Sequence, residues 1–414
     1  MQSGRTVLKP DPSNMRVLQF APRLCWPLDT GAKLRNYHLA RVLAAYTSVS
    51  LLAFAESQYD KTELANVYEQ VVTAPRDQDY SFGNLLRGAV GRTPLPLLNY
   101  TTDEMKHELA ATLNENDFNI IQIESIHLMN YLPVIRAARK RPLVICDWHN
   151  VESDLMRQYA ESQTNIARKT YARRTARLMS QHEQQALDEF DAHIVVSEHD
   201  AERLRRVNSD ARILVIENGV DVDYYKDFDS TTEKNRIVFV GSMDYHANIE
   251  GAISFARNVW PSVHEKNRQL IYTIVGRDPA ASVRELATIA GVEVTGSVED
   301  VRPYYREAIL AVVPLNVGGG SRLKILEAMA AGVPVVSTVL GAEGLQVNHR
   351  ENILISDSNE ELARAIIDLI NEPDLRAQII FGGRQLVAAR YDWSRFGSTL
   401  FDYYRQLLAE RATT

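Results

Sequence analysis

Residues 318–324 read Gly-Gly-Gly-Ser-Arg-Leu-Lys, and Glu327 follows inside an otherwise apolar segment. The three glycines, Gly318, Gly319 and Gly320, let the main chain approach a ligand closely. Ser321 is expected to cap a helix, so that the first unpaired N–H groups point at whatever sits in the loop. Arg322 and Lys324 add two full charges to that partial positive end, a combination suited to phosphate or diphosphate. A carboxylate at Glu327, one turn further in, is costly in apolar surroundings unless it has partners, and the hydroxyls of a ribose or another sugar are natural ones. His149 is the second candidate. It lies just beyond the apolar run 142–146, where open α/β sheets bind ligands outside the carboxyl ends of strands. His127, after the preceding run at 119–123, is the lesser candidate.

These side chains need a frame. The short apolar run 309–313 predicts a strand buried on both faces, followed by the glycine loop, a helix to about residue 331 ended by Gly332 and Pro334, and a further strand. Similar runs at 15–20, 47–55, 119–123, 142–146, 191–197 and 212–216 predict strands in the first half. Runs at 237–240, 270–275 and 292–295 do so in the second, between helical stretches at 252–259, 282–290 and 301–307. Alternation of this kind predicts doubly wound parallel sheets. Gly241, Gly276-Arg277 and Gly296 to Val298 put glycine or polar residues at strand ends. Gly31 opens a helix whose apolar positions recur at helical spacing, and Arg35 in its first turns either faces the ligand or is an exposed helix charge. Residues 56–118 show helix-like stretches and loops with no function to place. Asn218-Gly219 is a turn signal, and 222–235 is polar and reads as a linker.

The composition sets bounds. With 414 residues, 45% of them hydrophobic, the chain is long enough for two ordinary cores. Its net charge of −7 argues against a general nucleic-acid binder; the charge splits as about −1 over residues 1–218 and −6 over 219–414. Two cysteines, Cys25 and Cys146, make neither a disulfide framework nor a zinc site and suggest a reducing compartment. No apolar run approaches a membrane span, and residues 1–14 read as a disordered tail without a signal-peptide core. The expectation is a cytoplasmic protein, soluble or peripheral on the inner face of the membrane. From Gln163 to His182 there is no acidic residue, while Arg168, Lys169, Arg173, Arg174 and Arg177 crowd one segment. That segment is either a solvated helix face or a contact for anionic lipid or a phosphorylated acceptor.

The stretch from Pro314 to Ser337 resembles the donor-site signature of retaining family 4 (group 1) glycosyltransferases of the GT-B fold, in its GGGxRxK version. Two glutamates usually bracket the loop; here Glu327 matches the second, and Gly319 stands at the first. The resemblance covers nearly everything from Met15 to about Leu408. It implies an N-terminal acceptor-binding domain (15–220), a C-terminal nucleotide-sugar-binding domain (221–390), and a last segment (391–414) crossing back to the first domain. The two Rossmann-like domains would face a cleft. It further implies that Gly31 passes under the donor phosphates, that His149 attends the reacting sugar, and that the main chain near Val298 holds the base. Gly241, Arg277 and Gly318 to Ser321 would complete the donor site. The family's cationic pair after the first turn is missing from residues 241–248, which shifts the phosphate charge onto Arg322 and Lys324. The implied activity is a hexosyltransferase-type transfer from a nucleotide diphosphate sugar to a saccharide, lipid-linked or other hydroxyl acceptor, with retention and without metal or other cofactor. A nucleotide-sugar 2-epimerase of the same fold and a non-catalytic nucleotide-sugar binder are the alternatives. The glycines do not form the fingerprint of a dinucleotide-dependent dehydrogenase.

Overall fold

The computed structural model describes residues 15–55, 62–76, 83–84, 87–88, 91–163, 165–226, 235–317 and 322–413. The expected tail (1–14), part of the expected linker (227–234), and Gly318, Gly319, Gly320 and Ser321 lie outside the described residues. The chain divides into two compact units, the first running to Glu217 and including Ser394–Thr414, the second Asn218–Trp393. The division falls after Glu217 and before Ser394, against the expected 220 and 391.

The first unit is built on seven parallel strands. They are β1 (Arg16–Ala21), β2 (Ser48–Ala55), β3 (Val71–Pro75), β4 (Ile120–Glu124), β5 (Leu143–Trp148), β6 (Ala192–Val195) and β7 (Ile213–Val215). Their order across the sheet is β3-β2-β1-β4-β5-β6-β7. Helices cover both faces, which is why the strands read as continuous apolar runs and not as alternations. Strand β3 escaped the sequence reading because its residues, Val-Val-Thr-Ala-Pro, sit at the sheet edge, only partly buried and bounded by polar loops. The Gly31–Leu43 helix is capped by Thr30, whose side chain accepts from the Lys33 amide. The Phe396–Thr413 helix buries Gly397, Leu400, Tyr404 and Leu407 in this unit, and Tyr46 stacks on Phe401 with ring centroids 5.4 Å apart.

The second unit has six parallel strands: β8 (Arg236–Val240), β9 (Ile271–Val275), β10 (Val292–Val294), β11 (Ala308–Val313), β12 (Val335–Ser337) and β13 (Leu354–Ile355). They lie in the order β10-β9-β8-β11-β12-β13. In each sheet the winding reverses once, between β1 and β4 and between β8 and β11. Connections there leave in opposite directions and open a crevice at the carboxyl ends of the strands. Both units therefore have the doubly wound form that the strand and helix pattern predicts.

The first core also buries a histidine. His193 on β6 is 1% exposed, and Trp148 Nε1 donates to its Nδ1 at 3.1 Å, which leaves the ring proton on Nε2. Burial pushes its pKa down to about 4. An unfolded chain, with histidine near 6.5, then takes up a proton that the folded chain refuses. Stability is thus full above pH 6.5 and falls as the pH drops toward 4. From this side chain we expect a loss of about 2 kcal/mol between pH 7 and pH 5. Urea unfolding at both pH values, compared with His193→Gln, measures it; identical pH slopes in the two proteins would mean His193 is charged in the fold.

Candidate functional site

At the second unit's switch point, four elements converge. The turn after β8 begins at Gly241, and the His246–Asn258 helix follows it. The Leu323–Ala330 helix follows β11. Arg322 holds the N-cap position, and its side chain makes no capping hydrogen bond; the expected cap, Ser321, lies outside the described residues. Lys324 Nζ donates to Asn248 Oδ1 at 2.6 Å and lies 4.7 Å from the Phe239 ring centroid. Asn248 in turn donates to the Ser242 carbonyl at 2.8 Å, so one amide ties the lysine to the turn.

The glycines are explained by close approach. A Cβ on Gly241 would lie 2.8 Å from Asn248 Nδ2 and 2.9 Å from Lys324 Nζ. One on Gly276, at the end of β9, would lie 1.7 Å from the Gly241 carbonyl oxygen. The two turns therefore pack main chain on main chain. Arg277, next along, donates from Nε to Ser242 Oγ at 2.8 Å. A cation thus stands at the Gly241 turn although the turn's own sequence has none; it comes from the neighbouring strand, which spacing along the chain does not reveal.

The expectation of two full charges in this loop needs correction. Lys324 is half-buried, and the loss of water around its ammonium lowers its pKa to about 7; the Arg322 charge nearby pushes the same way. Near neutral pH it is a proton-accepting group as much as a fixed cation. Arg322 is 6% exposed and directs Nη2 toward Glu343 Oε2 at 3.4 Å, so its charge is already partnered. Burial lowers its pKa as well, although it remains a strong base. Glu327 is raised to about 7, by burial first, against the opposing pull of Lys324 and a hydrogen bond from Tyr305. Tyr225 adds a second aromatic neighbour in that pocket. Beyond the ends of β11 and β12, a cleft of about 380 Å³ opens beside Glu343, with Asn316, Thr338 and Asp357 on its walls. Val298 stands apart, in the loop after the edge strand β10, half-buried.

In the first unit the switch point holds a polar network inside an apolar sheet. Glu124, at the end of β4, is wholly buried; its Oε1 accepts from Gln19 and from Gln122, each at 2.7 Å. Its Oε2 lies 3.0 Å from His149 Nε2, immediately after β5. Burial raises the Glu124 pKa, with the hydrogen bond from His149 opposing. Asp147 binds Arg35 through both oxygens, with Nε at 3.2 and 3.0 Å, and Arg35 Nη1 donates to the Ile216 carbonyl at 2.9 Å. Arg35 is therefore neither a ligand-facing nor an exposed charge: it is 1% exposed and neutralises Asp147. Glu124, Asp147 and His149 offer ligand atoms within 4.8 Å of one another, an acidic cluster that the sequence did not suggest. A metal ion there would have to displace the guanidinium from Asp147 and compete with two amides at Glu124. Gly31 opens its helix after β1 in the same unit. His127 is stacked on Tyr100, with centroids 5.6 Å apart, and lies 4.0 Å from Glu152.

Comparison with known proteins follows the same division. The family model described as Glycosyltransferase Family 4 matches residues 31–224, and the one described as Glycosyl transferases group 1 matches 234–372. Among curated relatives, the chain is 28% identical over 213 residues to the phosphatidyl-myo-inositol mannosyltransferase of Mycobacterium leprae, covering 49% of this chain and 55% of that one. It is 22% identical over 298 residues to the GDP-mannose:cellobiosyl-diphosphopolyprenol alpha-mannosyltransferase of Xanthomonas oryzae pv. oryzae, covering 67% and 71%. A 44.6 kDa protein from the cps region of Klebsiella pneumoniae is 27% identical over 173 residues, 40% of this chain and 45% of its own. The chain spans about half the length of most of these relatives. Among solved structures, sucrose-phosphate synthase from Thermosynechococcus elongatus superposes with a TM-score of 0.70 at 17% identity, covering 96% of this chain and all of that one. Anabaena HepE in complex with UDP superposes at 0.65 and 17%, covering 95% of this chain and 100% of HepE. These likenesses show the GT-B fold. With a glycosyltransferase model matching each of its two halves, the chain belongs to the family 4 (group 1) type of glycosyltransferases.

Proposed function

We propose that the protein transfers a sugar from a nucleotide diphosphate sugar to an acceptor hydroxyl with retention of anomeric configuration. The observation that carries this reading is the convergence of Lys324, Arg277, the Gly241 turn and the N-terminus of the Leu323–Ala330 helix on one point of the second unit. Departure of a nucleoside diphosphate from an anomeric carbon builds negative charge on the leaving oxygen. Preorganised N–H groups and cations meet that charge without reorganising. In this reading Lys324 is the group that changes state. Nearly half-charged without ligand at neutral pH, it becomes fully charged beside a diphosphate. Arg322 supports it, Glu327 accepts donor hydroxyls, the loop at Gly318, Gly319, Gly320 and Ser321 lies against the phosphates, and Val298 attends the base. Gly31 serves the phosphates from the first unit, and His149, steadied by Glu124, serves the reacting sugar. The cations come from side chains, so no metal is proposed.

The activities for which the relatives are named support a mannosyl-type donor and an acceptor that is a lipid-borne or diphosphopolyprenol-borne saccharide. Cell-surface polysaccharide or glycolipid synthesis is the corresponding setting.

Incubation with a panel of nucleotide sugars led by GDP-mannose and UDP-glucose, with and without prenyl-diphosphate saccharides, tests the reading. Nucleoside diphosphate release that depends on acceptor is the expected result. Conversion of the donor to its 2-epimer without transfer would replace it, and absence of nucleotide binding by calorimetry would remove it. Glu327→Ala should cost tenfold or more in turnover or donor affinity, the worth of about 1.5–3 kcal/mol for a charge-assisted hydrogen bond. His149→Ala should lower kcat while leaving nucleoside diphosphate affinity near its original value; the reverse pattern contradicts its assignment.

Lys324 gives a sharper test. Its pKa of about 7 without ligand must rise beside a diphosphate, so binding above pH 7 takes up a proton. Affinity for nucleoside diphosphate should then fall by as much as tenfold per pH unit above 7. Calorimetry in two buffers of unequal ionisation enthalpy counts the proton, and Lys324→Met should abolish the uptake. Binding without proton uptake at pH 8 would mean that Lys324 does not meet the phosphates.

A further inference from the structure

The Ile166–Glu189 helix carries a cationic stripe that the proposed reaction does not use. Ile166, Lys169, Arg173 and Arg177 follow one another at intervals of three, four and four, which sets them on one helix face over roughly 16 Å. The adjoining face, with Ala172, Thr175, Ala176, Met179 and Glu183, is buried in the first unit; Lys169 is half-buried at its edge, and Arg173 and Arg177 are exposed. Ile166 is 81% exposed, an apolar side chain standing in water at the head of the stripe.

The charges on this face differ from others in the same unit. Among the described residues, Arg203, Arg205 and Arg206 pair with Asp154, Glu198 and Glu202. Arg168, Lys169, Arg173 and Arg177 make no ion pair among the described residues, and the segment holds no carboxylate from Gln163 to His182. Arg174 is different: it donates to the carbonyls of Gly88 and Gly91 and is structural. The acidic balance of the whole chain makes this uncompensated run the more unusual.

From this we infer that the stripe docks the protein on an anionic lipid bilayer, with Lys169, Arg173 and Arg177 at the headgroups and Ile166 inserted among them. A bilayer matches the shape, because the stripe is a convex helix face and not a pocket for a single small anion. It also matches the chemistry, because a lipid surface offers negative charge and an apolar layer side by side over the length of the stripe. Long basic side chains reach the headgroups while their stems stay with the apolar residue. Each cation held near such a surface strengthens binding by about fivefold.

Co-sedimentation of the full chain with vesicles of phosphatidylglycerol and phosphatidylcholine, against vesicles of phosphatidylcholine alone, tests the inference. Binding should need the anionic lipid and fall with added salt. The triple variant Lys169→Gln, Arg173→Gln, Arg177→Gln should partition about a hundredfold more weakly. Ile166→Ser should weaken binding several-fold at unchanged charge, and Arg205→Gln on the neighbouring helix should change nothing. Thermal unfolding at the wild-type midpoint shows that each variant is folded. Equal binding to both vesicle types, a triple variant that binds like the wild type, or displacement from vesicles by soluble glycerol phosphate at modest concentration would each overturn it. Tighter binding to a DNA duplex than to the anionic vesicles would do the same.

Discussion

A charged side chain taken out of water must be met by partners of fixed geometry, and both sites of this chain are organised around that demand. Lys324 stands half-buried where the carboxyl ends of β8 and β11 adjoin, so Asn248 and the Phe239 ring must stand where they do. Asn248 can reach it only because position 241 has no side chain, and the Gly241 turn can sit there only because position 276 has none either. The incomplete settlement is informative. Burial leaves the lysine easily discharged and the nearby glutamate easily protonated, so the site is poised to gain charge complementarity when an anion arrives. A fully satisfied ion pair would have been inert.

The first unit answers the same demand differently. Asp147 is neutralised outright by Arg35, which is nearly inaccessible to water. Glu124 is held by amides and by a histidine that remains partly exposed. One carboxylate is therefore structural, and the other transmits position to His149. Both stand at the carboxyl ends of adjacent strands beside the point where the sheet order reverses, where a crevice opens above them.

Much of this was legible in the sequence. Apolar runs of four to eight residues between helical stretches gave the parallel sheets, and the strand-loop-helix around Arg322 and Lys324 could be read directly. What escaped was of two kinds. Edge strand β3 is only partly buried and carries a threonine and a proline, and edge strand β13 is only two residues long, so neither makes the apolar run that central strands carry. Partners brought by other elements, such as Arg277 at the Gly241 turn, Glu343 on Arg322 and Tyr305 on Glu327, are neighbours only in space. Glu124 is the instructive case. Gln19, Gln122 and Glu124 are polar residues in strands otherwise made of apolar ones, and polar groups buried in a sheet must meet one another.

The same network carries a consequence for the order in which the molecule can be completed. The Tyr404 hydroxyl donates to Gln122, whose amide holds Glu124, and the two residues are 282 positions apart. Tyr404 lies on a helix that follows the whole second unit, yet it closes the polar network of the first. During synthesis the first sheet can assemble early, but Gln122 Oε1 waits for its phenol until the second unit has been made. At about 5–20 residues per second that interval is roughly 15–55 s. Through that time the floor beneath His149 lacks one of its struts, and water must stand in for the phenol at Gln122. A chaperone or a protease would meet the nascent first unit in that state, well before any substrate does.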